Sequence, residues 1–222
     1  MAGAPVSEFH DQLDDLDDRF TAAGMRMFEQ MQRMVVAYMG GDLAVADQGG
    51  QLAADIGSAC REVEDGGFLL LARHQPVGGD LRRLVALLRM CVDLDRSATL
   101  LRHFCETVRV VDPRAYPEDV RALVGELAER SAEVFGSGMD AWRRKDALAV
   151  NEVHEDDQDV NRLQRLVVES AAERSDVADE RMTLGLIGRY LERIADHGVG
   201  IARDAAFVAT GERLPLSPRV AG

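Results

Sequence analysis

The 222-residue sequence has little of what would place it in most functional classes. Its longest apolar run, Phe68-Leu69-Leu70-Leu71-Ala72, falls far short of the ~20 residues that cross a bilayer. The N-terminus lacks a basic segment followed by an apolar one. It carries Glu8, Asp11, Asp14, Asp15, Asp17 and Asp18 instead, so no secretory signal is expected. Cysteine is scarce: Cys60, Cys91 and Cys105 have no metal-type spacing, and each sits beside apolar neighbours in a helical pattern. That fits buried, reduced thiols in a cytoplasmic protein. Aromatic residues make up 5% of the chain, and β-branched alternation is rare, which leaves little material for a sheet. Positive charge is also short. With 26 Lys+Arg against 39 Asp+Glu the net charge is -13. A phosphate backbone or an anionic membrane surface repels such a chain, so neither nucleic acid nor lipid is an expected partner. Metal ions or basic patches on other proteins suit it better. Lys145 is the single lysine, which reads as the codon usage of a GC-rich genome.

Signatures of catalysis are missing as well. No glycine-rich phosphate loop ends in lysine, no dinucleotide fingerprint follows a strand, and neither a Gly-x-Ser-x-Gly elbow nor a His-Glu-x-x-His pair occurs. His10, His74, His103, His154 and His197 are scattered. The chain is therefore not expected to be an enzyme.

What the sequence does have is helical periodicity. Phe9, Leu13, Leu16, Phe20, Met27, Met31, Met34 and Tyr38 recur at three-to-four spacing, with charged residues between them. Gly40-Gly41 closes that helix and Asp42 caps the next, which runs from about Leu43 to Arg73 through a glycine-rich middle. His74-Gln75-Pro76-Val77-Gly78-Gly79-Asp80 is a break, with Asp80 expected to cap a third helix over 81–111. Asp112 to Pro117 reads as a linker. Three further helices follow, over about 118–144, 146–174 and 177–210, with Gly211 as the last C-cap.

Three helices, a linker and three helices imply an internal duplication. Asp93-Leu94-Asp95-Arg96-Ser97-Ala98-Thr99 aligns with Tyr190-Leu191-Glu192-Arg193-Ile194-Ala195-Asp196. Short connections make sequential helices antiparallel. The expected fold is thus all-α, with one three-helix bundle over 6–111, a linker over 112–117, a second bundle over 118–211 and a flexible tail over 212–222.

The carboxylates carry the strongest chemical pattern. Glu192 and Asp196 are four apart on one helix face, where two acids repel unless a cation lies between them. Asp157 interrupts the apolar line Val150, Val153, Val160 and Val167, and Asn161 adds an oxygen one turn later. Packed antiparallel, the two helices bring Asp157, Asn161, Glu192 and Asp196 together as hard oxygen donors for a divalent or trivalent cation. The competing reading is a solvated charge run at Asp156, Asp157 and Asp159, with Glu192 paired to Arg189 or Arg193. No helix supplies the Glu-x-x-His of a di-iron oxidase.

The segment Arg189-Tyr190-Leu191-Glu192-Arg193-Ile194-Ala195-Asp196-His197, followed by Ala209-Thr210-Gly211-Glu212, resembles the signature helix of the PhoU phosphate-regulator family. The turn residues Gln75, Pro76, Asp80 and Arg82 resemble that family's Arg-Gln-Pro-x-x-x-Asp-Leu-Arg turn, with His74 in place of the first arginine. The likeness covers about Glu8 to Glu212 and is nearest to the actinobacterial branch. It implies a pair of three-helix bundles that forms a homodimer and binds metal at acid-x-x-x-Asp motifs. The second-repeat site would use Asp157, Glu192 and Asp196, with Asn161 where the family has Asp. The matching first-repeat positions read Ala53, Gly57, Asp95 and Thr99, so three of its four ligands are lost and no cluster is expected there. The resemblance further implies a cytoplasmic negative regulator of the phosphate-starvation response and of phosphate transport. It would be an adaptor between the ATPase of the phosphate ABC transporter and a sensor histidine kinase. The alternatives are a carboxylate-lined metal-binding bundle with a storage or hydrolytic role, and a plain structural scaffold.

Overall fold

The computed structural model describes residues 6–174 and 178–213. The expected tail beyond Arg213 and the start of the sixth helix at Val177 lie outside the described residues. Six long helices account for nearly all of the rest: α1 (Val6–Met39), α2 (Ala44–His74), α3 (Gly78–Glu106), α4 (Glu118–Arg144), α5 (Ala149–Arg174) and α6 (Ala178–Thr210). The all-α expectation holds, and no strand occurs among the described residues.

The helices form where the apolar period says they should. Phe9, Leu13, Leu16, Phe20, Met27, Met31, Met34 and Tyr38 of α1 are all buried. Gly41 takes φ +71° after α1, and Asp42 Oδ1 accepts the Ala44 N–H at 2.9 Å to open α2. In the glycine-rich middle of α2, which stays helical, Gly49 and Gly57 face α3. A Cβ on Gly49 would lie 3.1 Å from Cys105 Cβ, and one on Gly57 would lie 2.8 Å from Asp95 Oδ1. Each helical glycine costs about 1 kcal/mol relative to alanine, which close packing of the two helices offsets.

Two expectations need correction. Asp80 does not cap α3. The helix starts three residues earlier, at Gly78 with its left-handed φ, so Asp80 is already inside the first turn. Its carboxylate lies 3.2 Å from His10 Nε2 and ties α3 to α1 instead. The third helix also ends early, at Glu106, and tightens into a 3-10 turn over Thr107–Arg109. A second 3-10 turn, Pro113–Ala115, is capped by Asp112, whose Oδ1 accepts the Arg114 N–H at 2.9 Å. Pro113 and Tyr116 are buried, so this connection packs against the helices.

α1, α2 and α3 pack on one another, as do α4, α5 and α6, and the two triplets meet along α3–α6 and α1–α4. The buried side chains form one continuous core across both triplets. In the second triplet, α4 and α6 touch backbone to backbone. A Cβ on Gly198 would lie 2.6 Å from Phe135 Cα, and one on Gly138 would collide with the Gly198 carbonyl.

One polar node crosses the α1–α4 seam. Asp17 belongs to the acidic run expected to be solvated, yet it is only 5% exposed. Its Oδ1 accepts from Trp142 Nε1 at 2.5 Å. Its Oδ2 accepts from Lys145 Nζ at 2.7 Å and from Arg83 Nε at 3.0 Å. Arg83 also reaches Asp14 at 2.6 Å. Lys145 sits in the left-handed C-cap of α4 at φ 55°, which turns its ammonium back over the Trp142 ring at 3.9 Å. Phe20 meets the same ring edge-on at 6.3 Å. The single lysine is therefore structural, and a reading from codon usage misses it.

Removing one partner of a buried ion pair is far more costly than replacing the whole set, because the remaining charge keeps its desolvation penalty. Asp17→Asn takes the shared partner from Lys145, which is half-exposed, and from Arg83, which keeps Asp14. The expected loss is about 2 kcal/mol of unfolding free energy, measured by urea titration. A loss below about 1 kcal/mol would mean that the node behaves as an exposed ion pair.

Candidate functional site

The paired helices α5 and α6 bring the four expected ligands into one neighbourhood. Asp157 occupies the buried face of α5 between Val153 and Val160, and its side chain is almost wholly covered. Burial and the negative charges of Asp196 and Glu192 push its pKa up to about 6. Glu192 is also raised, by burial and by Asp196. Asp196 stands on the exposed side and is raised by the low-dielectric wall of the bundle, against the pull of Arg193 and Arg189. These three carboxylates thus share one field, and the solvated-run reading does not hold for Asp157.

The arrangement differs from the sequence expectation in two respects. Glu192 is held by Arg189, with Nη1 2.6 Å from Oε2, so one of the competing ion pairs does form. Asn161 makes its described contacts through its amide nitrogen. Its Nδ2 donates to Asp157 Oδ2 at 2.8 Å and to the Asp157 carbonyl at 3.0 Å. The amide is a donor that steadies Asp157, as expected of a side chain four residues on along the same helix.

The fit to a cation rests on donor chemistry and on one orphan atom. Three carboxylates are a hard oxygen set. Asp157 Oδ1 is buried with no hydrogen-bond partner, which is costly for an acceptor and is relieved by a cation. Among the described residues, however, no three His, Cys, Asp or Glu side chains converge as a ready metal cage. Asp157, Glu192 and Asp196 would hold an ion only after Glu192 turns from Arg189. In the first triplet, Asp95 lies against Gly57, while Ala53 and Thr99 contribute no charge.

Gln75 takes the left-handed φ of 49° that ends α2 before Pro76, Asp80 meets His10, and Arg82 Nε is buried without a partner. Other polar groups escaped the sequence reading. His197 Nδ1 lies 2.7 Å from Ser97 Oγ, which donates to the Asp93 carbonyl at 2.7 Å. Burial together with Arg193 and Arg96 pushes the His197 imidazole down to about 4. Asp204 is buried beside Arg89, with Oδ1 3.1 Å from Nη1. Only the matched offset between the two repeats, which places Ser97 near the level of His197 on facing helices, could have signalled the first of these contacts.

Comparison with known proteins decides the family. The PhoU domain model matches residues 20–108 and 124–205, one stretch in each triplet. The chain belongs to the PhoU domain family. It is similar to phosphate-specific transport system accessory protein PhoU homolog 2 of Mycobacterium tuberculosis, with 30% identity over 207 residues, 91% of this chain and 97% of the relative. PhoU homolog 1 of Mycobacterium leprae is also 30% identical, over 91% of this chain and 93% of its own length. The fold matches the crystal structure of PhoU from Streptococcus pneumoniae with a TM-score of 0.82 at 19% identity, covering 94% of this chain and 100% of that one. PhoU from Pseudomonas aeruginosa gives 0.80 at 23%, covering 92% and 100%. At such identities the two structures speak for the fold alone.

The raised pKa of Asp157 has a definite sign. The folded chain holds this proton more tightly than the unfolded chain does. The stabilising contribution is therefore full below the ordinary carboxylate pKa and lost as pH rises through about 6. In chelator, Asp157→Asn should stabilise the protein at pH 7.5 by about 2 kcal/mol, with the gain vanishing near pH 4. A variant equally or less stable than the parent at pH 7.5 would contradict the buried charge.

Proposed function

We propose that this protein is a non-catalytic regulator of phosphate uptake and of the phosphate-starvation response. It works in the cytoplasm as a homodimer that links the phosphate-transporter ATPase to a sensor histidine kinase. The observation that carries this reading is full-length kinship. Relatives named as accessory proteins of the phosphate-specific transport system align with 91% of this chain. Two features of the molecule agree with it. No helix among the described residues is long and apolar enough to cross a membrane. In addition, α2 exposes a short apolar strip, Phe68 at 62% and Leu69 at 47%, and Leu69 lines a groove with Glu8, Asp11 and Asp15 of α1. Such a strip suits a basic, partly apolar surface on another protein.

The test is capture of the transporter ATPase and the sensor kinase by the purified chain, together with reporter expression in a deletion strain. Binding to at least one partner is expected, with derepressed starvation genes in the deletion. Phe68→Ser combined with Leu69→Ser should weaken capture about tenfold while leaving helicity unchanged, the equivalent of roughly 1.4 kcal/mol of interface energy. No binding to either partner, with normal repression in the deletion strain, would overturn the reading.

A second reading is favoured by the orphaned Asp157 Oδ1: the α5–α6 acids hold a divalent or trivalent cation in the second repeat. Metal analysis after mild purification should find metal that Asp196→Ala removes. Metal content unchanged by that substitution would exclude this site.

A further inference from the structure

The α3–α6 seam holds a second polar feature, remote from the Asp157 acids in its chemistry. A cleft of about 110 Å³ is lined by Arg89 and Asp93 of α3, Arg203, Asp204 and Phe207 of α6, and Arg213 just beyond that helix. Its balance of three arginines against two acids runs opposite to the charge of the whole chain. Only one of the arginines has a carboxylate partner in the described contacts, Arg89 with Asp204 at 3.1 Å. Arg213 stacks over the Phe207 ring at 5.7 Å, and Arg203 and Arg213 both act electrostatically on Asp204. Arginine forks are geometric matches for tetrahedral oxyanions, and two of them here have donors to spare.

The acids narrow the ligand further. Asp204 is fixed by Arg89, whereas Asp93 makes no side-chain hydrogen bond in the described contacts. Gly200 leaves its oxygen free: a Cβ there would lie 3.3 Å from Asp93 Oδ2. A carboxylate on the wall of an anion site repels a fully deprotonated oxyanion. It accepts a hydrogen bond from one that keeps a proton. Hydrogen phosphate keeps a proton at neutral pH and sulfate does not. A phosphodiester has none to give either. A metal ion on Asp93 and Asp204 is opposed by the three guanidinium groups.

We propose that this cleft binds free hydrogen phosphate, with Arg203 and Arg213 donating to its oxygens and Asp93 accepting its proton. Because Arg89 and Asp93 come from the first repeat and the remaining groups from the second, the ligand would bridge the two triplets. The inference goes beyond the adaptor role and does not depend on it. Binding by the purified chain and regulation in cells are separate measurements, and either can fail alone.

The test is calorimetric titration of the full chain with sodium phosphate and with sodium sulfate, at constant ionic strength and pH 7. Saturable binding of one phosphate per chain is expected, at least tenfold tighter than sulfate. Arg203→Ala combined with Arg213→Ala, both on exposed side chains, should weaken phosphate at least tenfold without changing helicity. Asp93→Asn should narrow the preference by strengthening sulfate binding. Gly200→Val, which fills the wall beside Asp93 without removing a charge, should also abolish binding. Absence of saturable phosphate binding, sulfate bound as tightly as phosphate, or affinity unchanged in the double arginine variant would each overturn the proposal.

Discussion

The join between the two repeats depends on the carboxylate of Asp17. It is buried on α1, and its two oxygens collect Trp142 and Lys145 from α4 and Arg83 from α3. A buried carboxylate without partners would cost several kcal/mol, so the node tolerates only one relative placement of the three helices. Apolar packing alone permits helices to slide by a turn at modest cost. A carboxylate that must meet an indole N–H, an ammonium and a guanidinium at once does not permit it. The cation over the Trp142 ring and the edge-on Phe20 fill the space around these bonds, so the polar contact and the apolar packing specify the same arrangement.

Glycine supplies the complementary constraint. The α4–α6 contact at Gly138 and Gly198 brings backbones closer than any side chain would allow, and Gly49 lets α2 approach α3, where a Cβ would lie 3.3 Å from Arg102 Cα. With α6 held to α4 and α1 held to α4, the face of α6 that bears Asp204 is fixed against α3 of the first triplet. Whatever binds at the α3–α6 seam meets a preorganised wall. This is the link between packing and any regulatory use of the molecule.

Much of this was legible in the sequence, for identifiable reasons. Helix positions followed from apolar spacing, and Asp157 stood out because it broke a line of valines. Its closeness to Glu192 and Asp196 followed from antiparallel neighbours. What the sequence could not display were contacts between residues far apart along the chain. Asp17 and Lys145 are 128 positions apart, and each alone looks like an ordinary surface charge. The same holds for Ser97 with His197 and for Arg89 with Asp204. The use of glycine in α2 and α4 as a point of close approach is visible only from the partner helix. Asn161 is a subtler case: residue type pointed to its oxygen, while the one-turn spacing along α5 also lets its amide nitrogen donate to Asp157.

The central claim is that the two triplets form one cooperative unit joined through the Asp17 node. Trp142 is the only tryptophan and lies inside that node, so its fluorescence reports the join while far-UV circular dichroism reports all six helices. Equilibrium unfolding of the unmodified protein in urea, followed by both signals, is the most direct test. The account predicts coincident two-state transitions with the same midpoint. A tryptophan transition that completes while a substantial part of the helical signal remains folded would contradict it.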